Sequence, residues 1–108
     1  MPAERLGLSE FVVLGVLARR RDGDHGTALL DELEGLTGRR WSVGALYTIL
    51  GRLEDKGLVV SAWSEPILQR GGRRRRVFQV LDPGRDLIRE TLNLMIAAGG
   101  LADSQLSR

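Results

Sequence analysis

The sequence predicts a mainly α-helical fold with one small β-hairpin, on three observations. First, in residues 41–58 (WSVGALYTILGRLEDKGL), Leu46, Ile49, Leu50 and Leu53 fall at i, i+3, i+4 and i+7. That spacing is the apolar stripe of an amphipathic helix. Second, two β-rich runs, 58–63 (LVVSAW) and 76–81 (RVFQVL), flank a glycine- and arginine-heavy loop. Third, Asp82-Pro83 is a helix cap followed by proline at the first helical position. With 108 residues, 43% of them hydrophobic, the chain is read as one small domain with one modest core. It has no cysteine, so neither a disulfide nor a thiolate metal site can staple it, and a dimer interface is the expected supplement. No apolar run approaches the roughly 20 residues of a membrane span, and there is no signal-peptide pattern. The expectation is a cytoplasmic protein with no membrane partner.

Taken in order, residues 1–7 read as a polar arm. Residues 8–20 (LSEFVVLGVLARR) are apolar almost all round, through Phe11, Val12, Val13, Leu14, Val16 and Leu17. The β-branched content would also suit a buried strand. A helix is preferred, because Ser9 can cap it, Ala18 and the arginines extend it, and the flank at 21–26 breaks it. Such a helix must be covered by more than one neighbour. Residues 22–26 (DGDHG) are turn chemistry. His25 stands without a second histidine, so a surface or turn role is preferred over metal binding. Thr27 or its neighbour caps a second helix to about Thr37, with Leu29, Leu30, Leu33 and Leu36 on one face, and Gly38 ends it.

A short connection, 39–42, leads into the striped helix, which Ser42 caps. Trp41 and Leu46 sit where a hydrophobic staple would fix its entry angle, and Gly57 supplies its stop. Two helices joined by so short a turn are a helix-turn-helix signature, and a hairpin behind them is a wing. The last helix is expected to run from Asp82 to about Ala98, with Leu87, Ile88, Thr91, Leu92, Met95 and Ile96 along one side. Gly99-Gly100 are read as its stop and the tail as frayed. The chain divides into 1–81, the winged unit with its arm, and 82–108, a dimerisation helix and tail, packed as one compact unit.

Net charge is only +2, but its distribution is uneven. Residues 39–76 hold nine basic side chains against three acidic ones, a local net of +6, while the remainder nets −4. A basic middle between acidic ends makes a dipolar protein with one anion-seeking face. Arg70, Arg73, Arg74, Arg75 and Arg76 form a dense cationic wing, Arg39 and Arg40 precede the striped helix, and Arg52 lies on its outer side. Phosphates attract such groups, and arginine also enters a narrow minor groove. Alternate residues of a strand face opposite ways, so Arg74 and Arg76 should do different jobs from Arg73 and Arg75. The outer face of the striped helix is short-chained and polar (Gly44, Tyr47, Thr48, Gly51, Arg52 and Asp55), as a groove-inserted helix needs.

Tyr47 has two readings, half-buried packing with its hydroxyl at the rim, or donation to a phosphate. Trp41 and Trp63 are read as core or staple residues, with the walls of an aromatic ligand pocket as the sharper alternative. There is no Ser/His/Asp spacing and no cysteine nucleophile, so neither catalysis nor a cofactor or metal is expected. The Gly71-Gly72 pair does not follow a strand and open a helix, which excludes a nucleotide phosphate loop.

LSEFVVLGVLARR…HG, then SVGALYTILGRLEDKGLV, then GGRRRRVFQVLDPG resemble the DNA-binding domain of PadR-type transcriptional regulators, across residues 8–96. The most specific pieces are Leu46-Tyr47…Arg52-Leu53-Glu54…Gly57-Leu58 and the Gly71-Gly72-Arg73 wing. The resemblance implies a winged helix-turn-helix with a C-terminal dimerisation helix, usually a repressor released by a small molecule or stress signal. It implies that Tyr47 and Arg52 point at DNA, with Gly72 and Arg73 on the wing. The last helix carries Met95 and no aromatic residue, so a sandwich pocket for flat drugs is not implied.

The expected contacts to double-stranded DNA are therefore Arg39, Arg40, Ser42, Gly44, Tyr47, Thr48, Arg52, Gly72, Arg73, Arg74 and Arg75. The expected homodimer interface is Phe11, Leu14, Leu87, Ile88, Thr91, Leu92, Met95 and Ile96. Two rivals stay open: a winged-helix protein-interaction module without an operator, and a ligand sensor acting through its dimer interface.

Overall fold

The computed structural model describes residues 6–64 and 75–106. Four helices surround a three-stranded antiparallel sheet: α1 (Leu8–Ala18), β1 (Asp24–His25), a 3-10 turn (Gly26–Leu29), α2 (Leu30–Thr37), α3 (Val43–Asp55), β2 (Val59–Trp63), β3 (Arg76–Val80) and α4 (Asp82–Leu106). The fold is the expected one, mainly helical with a β-hairpin.

The striped helix forms as its sequence requires. Ser42 is extended at the N-cap, and its Oγ accepts from the Ala45 N–H at 3.0 Å. Leu46, Ile49, Leu50 and Leu53 are all buried, as is Trp41 beside them. They meet Val13, Leu14, Val16 and Leu17 of α1, Leu29 and Leu33 of the second helical segment, and Phe78 of β3 in one core cluster. Removing each such leucine from water contributes about 1.5–3 kcal/mol, so this stripe fixes where α3 lies. Gly38 and Gly57, with φ of 70° and 75°, supply the left-handed residues that end α2 and α3.

Other details depart from expectation. Gly7, not Ser9, caps α1: its N–H donates to Glu10 Oε1 at 2.9 Å, the reach-back of a glutamate at the third helical position. The 3-10 turn delays α2 and shifts its phase, so Leu29 and Leu33 point inward while Leu36 is exposed. Asp82 lies inside α4, whose entry is marked by the Arg85 N–H donating to the Leu81 carbonyl. Gly99 and Gly100 do not stop α4, which continues to Leu106. A glycine inside a helix costs only about 1 kcal/mol, and a stop needs the left-handed backbone that neither residue adopts.

In the sheet β3 is central, with order β1-β3-β2. Ser61 pairs with Phe78 and Trp63 with Arg76 on one side, and His25 with Val77 on the other. The two-residue β1 sits inside the stretch expected to be only a turn. Trp63, expected in the core, is exposed at the wing's end of β2. Leu14 and Leu87, expected at the dimer interface, are instead buried in the protomer's own core, because α1 packs on α3 and the start of α4 closes over it.

Two ion-paired carboxylates tie the helices together. Glu10 of α1 takes Lys56 Nζ at 3.0 Å on both oxygens, and Glu32 of α2 takes Arg20 at 2.8 Å and also Arg19. Burial pushes Glu10 upward, but the Gly7 N–H and the Lys56 ammonium together outweigh it and hold the carboxyl below its ordinary value. Glu32 is held low chiefly by the Arg20 hydrogen bond, against some desolvation. A folded-state pKa below the unfolded one, about 4.3 for glutamate, gives stability that is present above that value. It is lost as pH falls through the folded-state values. The thermal midpoint should therefore hold level from about pH 7 to about pH 5 and drop below about pH 4. Glu10→Gln and Glu32→Gln should lower the neutral midpoint and flatten that drop; an unaltered acid profile in both variants would refute the assignment.

Candidate nucleic-acid interface

The outer face of α3 carries the polar groups that the sequence placed there. Gly44, Thr48 and Arg52 are exposed, as are Arg39, Arg40 and Ser42 at its entrance. Thr48 Oγ1 donates to the Gly44 carbonyl at 2.9 Å, which aims its methyl and leaves its hydroxyl oxygen free to accept. The Arg39 guanidinium lies over the Trp41 ring, 4.7 Å from its centroid. Among the described residues, Arg40 and Arg52 make no side-chain hydrogen bond or ion pair, and both are exposed; Arg52 also lends its field to the Glu10 carboxylate.

Tyr47 is half-buried, its ring edge-on to Phe78 with centroids 5.9 Å apart. A Cβ added to Gly26 would lie 2.8 Å from Tyr47 Cζ and 2.9 Å from its hydroxyl. A side chain at that position would have to push the end of the ring aside. The packing reading of Tyr47 thus holds, with the hydroxyl at the rim.

At the root of the wing the Ser64 N–H donates to the Arg75 carbonyl at 2.7 Å, and the Arg75 N–H donates to Ser64 Oγ at 3.0 Å. Arg75 Nη1 then reaches His25 Nε2 at 2.8 Å. Its neighbour Arg76 turns the other way. Arg76 donates to Ser61 Oγ at 2.9 Å and to Glu54 Oε1 at 2.8 Å, with its guanidinium over the Phe78 ring. The two neighbouring arginines differ in partner, as alternation leads one to expect: Arg76 is paired with Glu54 and Ser61, and Arg75 with His25, though both line the open cleft. Gly72, Arg73 and Arg74, together with Arg70, lie outside the described residues.

That cleft, about 480 Å³, lies between α3 and the wing and is lined by His25, Thr27, Tyr47, Trp63, Arg75 and Arg76. Sequence reasoning missed His25 and Thr27 as parts of it, and Glu54 as an anchor for the wing, while Trp63 lines it as the pocket-wall alternative had it. The available signal was the position of His25 directly before the glycine that Tyr47 covers, but its meaning depends on a strand of two residues.

A helix-turn-helix with its outer helix bare and polar, followed by a cationic hairpin, defines a winged-helix DNA-binding protein. The description "Transcriptional regulator PadR-like family" matches residues 13–90, and the chain belongs to that family. It is a DNA-binding transcriptional regulator. A PadR-like transcription factor from Bacteroides fragilis superposes with a TM-score of 0.76 at 17% identity, covering 91% of this chain and 89% of that one. A PadR-like transcriptional regulator from Bacillus cereus gives 0.76 at 18% identity, over 94% of each chain. A PadR family transcriptional regulator from Eggerthella lenta gives 0.69 at 25% identity, over 93% and 86%. Comparison with curated proteins gave no match. The family is one of regulators rather than enzymes. No helix among the described residues is long and apolar enough to cross a membrane.

Glu54 is the acceptor that holds β2 and β3 against α3. Glu54→Ala should strand the Arg76 guanidinium and the Ser61 hydroxyl and cost about 1.5–3 kcal/mol, the scale of charged hydrogen bonds. Denaturant unfolding measures this. A cost no larger than that of an exposed surface substitution would show that the anchor is idle.

Proposed function

We propose that the protein acts as a homodimer that reads a pseudo-palindromic operator, most simply as a repressor. In this reading two copies of α3 enter successive major grooves about 34 Å apart. Gly44, Thr48 and Arg52 face the bases, while Arg39, Arg40, Ser42 and the Tyr47 hydroxyl serve the flanking backbone. Gly72, Arg73, Arg74 and Arg75 supply the wing's phosphate or minor-groove contacts. The observation that carries the reading is the exposed outer face of α3, with Arg52 on it and Arg40 before it making no ion pair, while Arg76 is paired with Glu54.

Dimerisation has its own support. Beyond Ile88, α4 projects with Leu92, Leu94, Met95 and Ile96 exposed, an apolar surface that the protomer does not cover. On α1 and α2, Phe11, Val12, Gly15, Val16 and Leu36 line an open groove of about 280 Å³. The distal half of α4 from a partner suits that groove, and twofold symmetry makes the contact twice. Phe11, Ile88, Thr91, Leu92, Met95 and Ile96 then form the interface. The sensor reading takes its footing from the aromatic and cationic lining of the cleft beside Tyr47 and Trp63. A small molecule there would meet the same arginine that faces DNA, and a thermal-shift screen with aromatic compounds tests it.

Two sets of variants test the proposal. A single bidentate arginine is worth roughly 1–3 kcal/mol of base discrimination. A lost phosphate contact instead flattens the slope of log K against log salt by about 0.9. Duplexes selected from a random pool supply the operator. Arg52→Ala should narrow the gap between operator and random DNA. Arg73→Ala should weaken both nearly equally and flatten the slope. The reverse pattern would exchange the roles of helix and wing, and no effect from either would move the basic face to a protein partner.

For the dimer, light scattering should report two chains, and Leu92→Asp should give a monomer or an aggregate. A wild-type monomer at about ten times the expected cellular concentration would end that part of the proposal.

A further inference from the structure

The hydrogen bonds of His25 determine which of its ring nitrogens carries a proton. A guanidinium has only donors, so Arg75 Nη1 at 2.8 Å requires an unprotonated Nε2 as acceptor. The proton then sits on Nδ1, which faces Thr27 Oγ1 at 3.1 Å. The bond between Arg75 and His25 therefore exists only for the neutral imidazole. A ring protonated on both nitrogens presents Nε2–H to a guanidinium, donor against donor and cation against cation.

The groups around the ring are few. On its own strand, Asp24 Oδ1 accepts the His25 backbone N–H at 2.9 Å and lies 3.9 Å from Nε2. Arg20, at the end of α1, takes the other oxygen of Asp24 at 3.3 Å. Tyr47 of α3 and Arg76 of β3 complete the ionisable lining of the cleft. Arg76, a donor only, offers no acceptor, so among the described residues the one carboxylate near the ring is Asp24, whose Oδ2 takes Arg20 and whose Oδ1 takes the His25 N–H.

We propose that His25 is a positioning residue for the DNA-facing wing. Its neutral ring tethers Arg75 to β1, and acid converts that tether into a second cation lining the same cleft. This rests on the DNA-binding reading of the cleft and adds a regulation to it. Of the side chains lining the cleft, imidazole is the one that can pass from acceptor to cation by gaining a proton. At alkaline pH Arg75 is held in one orientation at the wing's root. In acid it is freed, and the protonated ring joins it in attracting phosphate.

His25 is the chain's single histidine, so its ring can be observed directly. Ring-nitrogen chemical shifts of the free protein at about pH 8 should show one tautomer, protonated on Nδ1. Arg75→Ala should leave averaged tautomers. A ring protonated on Nε2, or a tautomer unaltered by Arg75→Ala, overturns the tether whether or not DNA binds.

Binding is then measured with a fluorescent duplex of random sequence. Between about pH 8 and about pH 5.5, wild type should tighten by roughly three- to tenfold, and its salt slope should steepen by up to about 0.9, one added cation. His25→Gln keeps an acceptor for Arg75 but cannot be protonated, so its affinity, whatever its level, should be the same at both ends of the pH range. A His25→Gln variant that tightens in acid as wild type does refutes the switch. If no duplex binds at any pH, the DNA reading fails and the positioning role falls with it, while the ring-nitrogen shifts still decide the tether.

Discussion

The helix α3 and the wing are joined through one carboxylate. Glu54, near the C-terminal end of α3, accepts from the Ser61 N–H at 3.2 Å, from Ser61 Oγ at 2.6 Å and from Arg76 Nη2 at 2.8 Å. Ser61 belongs to β2 and Arg76 to β3, and their strands are in register through Ser61 and Phe78. One side chain thereby fixes both strands of the hairpin to the helix. A domain that touches a duplex with a helix and a wing together needs that angle set beforehand, because a loose angle would have to be ordered at the moment of binding. The apolar core places α3, but it is tolerant of small rotations. Directional bonds to a charge are less so, and here they lie at the junction where rotation would matter most.

The same economy runs through the rest of the protomer. Lys56, the residue after α3, is spent on Glu10 in the first turn of α1, so the same end of the helix is also tied to α1. Leu58 then connects helix and sheet: its side chain is buried, and its carbonyl accepts from the Leu81 N–H at 2.9 Å. A Cβ on Gly84 would come within 2.5 Å of that carbonyl, which explains a glycine in the first turn of α4. Tyr47 serves two surfaces at once, covering Gly26 and Phe78 with its ring while its hydroxyl stays at the rim of the cleft. Core packing and the cleft share residues here because so small a domain has few to divide between them.

Periodic apolar residues made most of the architecture legible. The stripe of α3, the caps at Ser42 and Gly57 and the hairpin strands are local patterns, each set by neighbours within a few positions. What could not be read depends on distant partners. The two-residue β1 exists because Phe78 and Val77, more than fifty positions away, offer it a ladder. The exposure of Trp63 follows from its place at the open end of the hairpin, where no helix covers it. Leu14 and Leu87 resemble interface residues in a list of apolar positions, and only the packing shows that the protomer has already used them. For the site, the residue types on α3 and their outward facing were legible. The pairing of Arg75 with His25, and of Arg76 with Glu54, was not, because alternation along a strand says that two arginines differ without saying what each one meets.

Ion pairing sharpens the charge distribution beyond what the sequence count suggests. Arg19 and Arg20 are taken by Glu32 and Asp24, Lys56 by Glu10, Arg76 by Glu54 and Arg89 by Asp86. Arg85 donates to the Ala18 carbonyl. Those cations serve the fold, and their fields are largely cancelled at short range. Apart from Arg85, the described arginines that make no ion pair with a carboxylate are Arg39, Arg40, Arg52, Arg75 and Arg21, with Arg52 acting on Glu10 only through its field. Three of these five flank or lie on α3. An anion approaching the protein therefore meets an uneven field, compensated around the back of the helices and open along α3. Screening confines that field to about 10 Å at ordinary ionic strength, so its effect falls on a surface brought close by shape. The slender polar face of α3 provides the shape, and the removal of competing cations into the fold makes the charge selective for it.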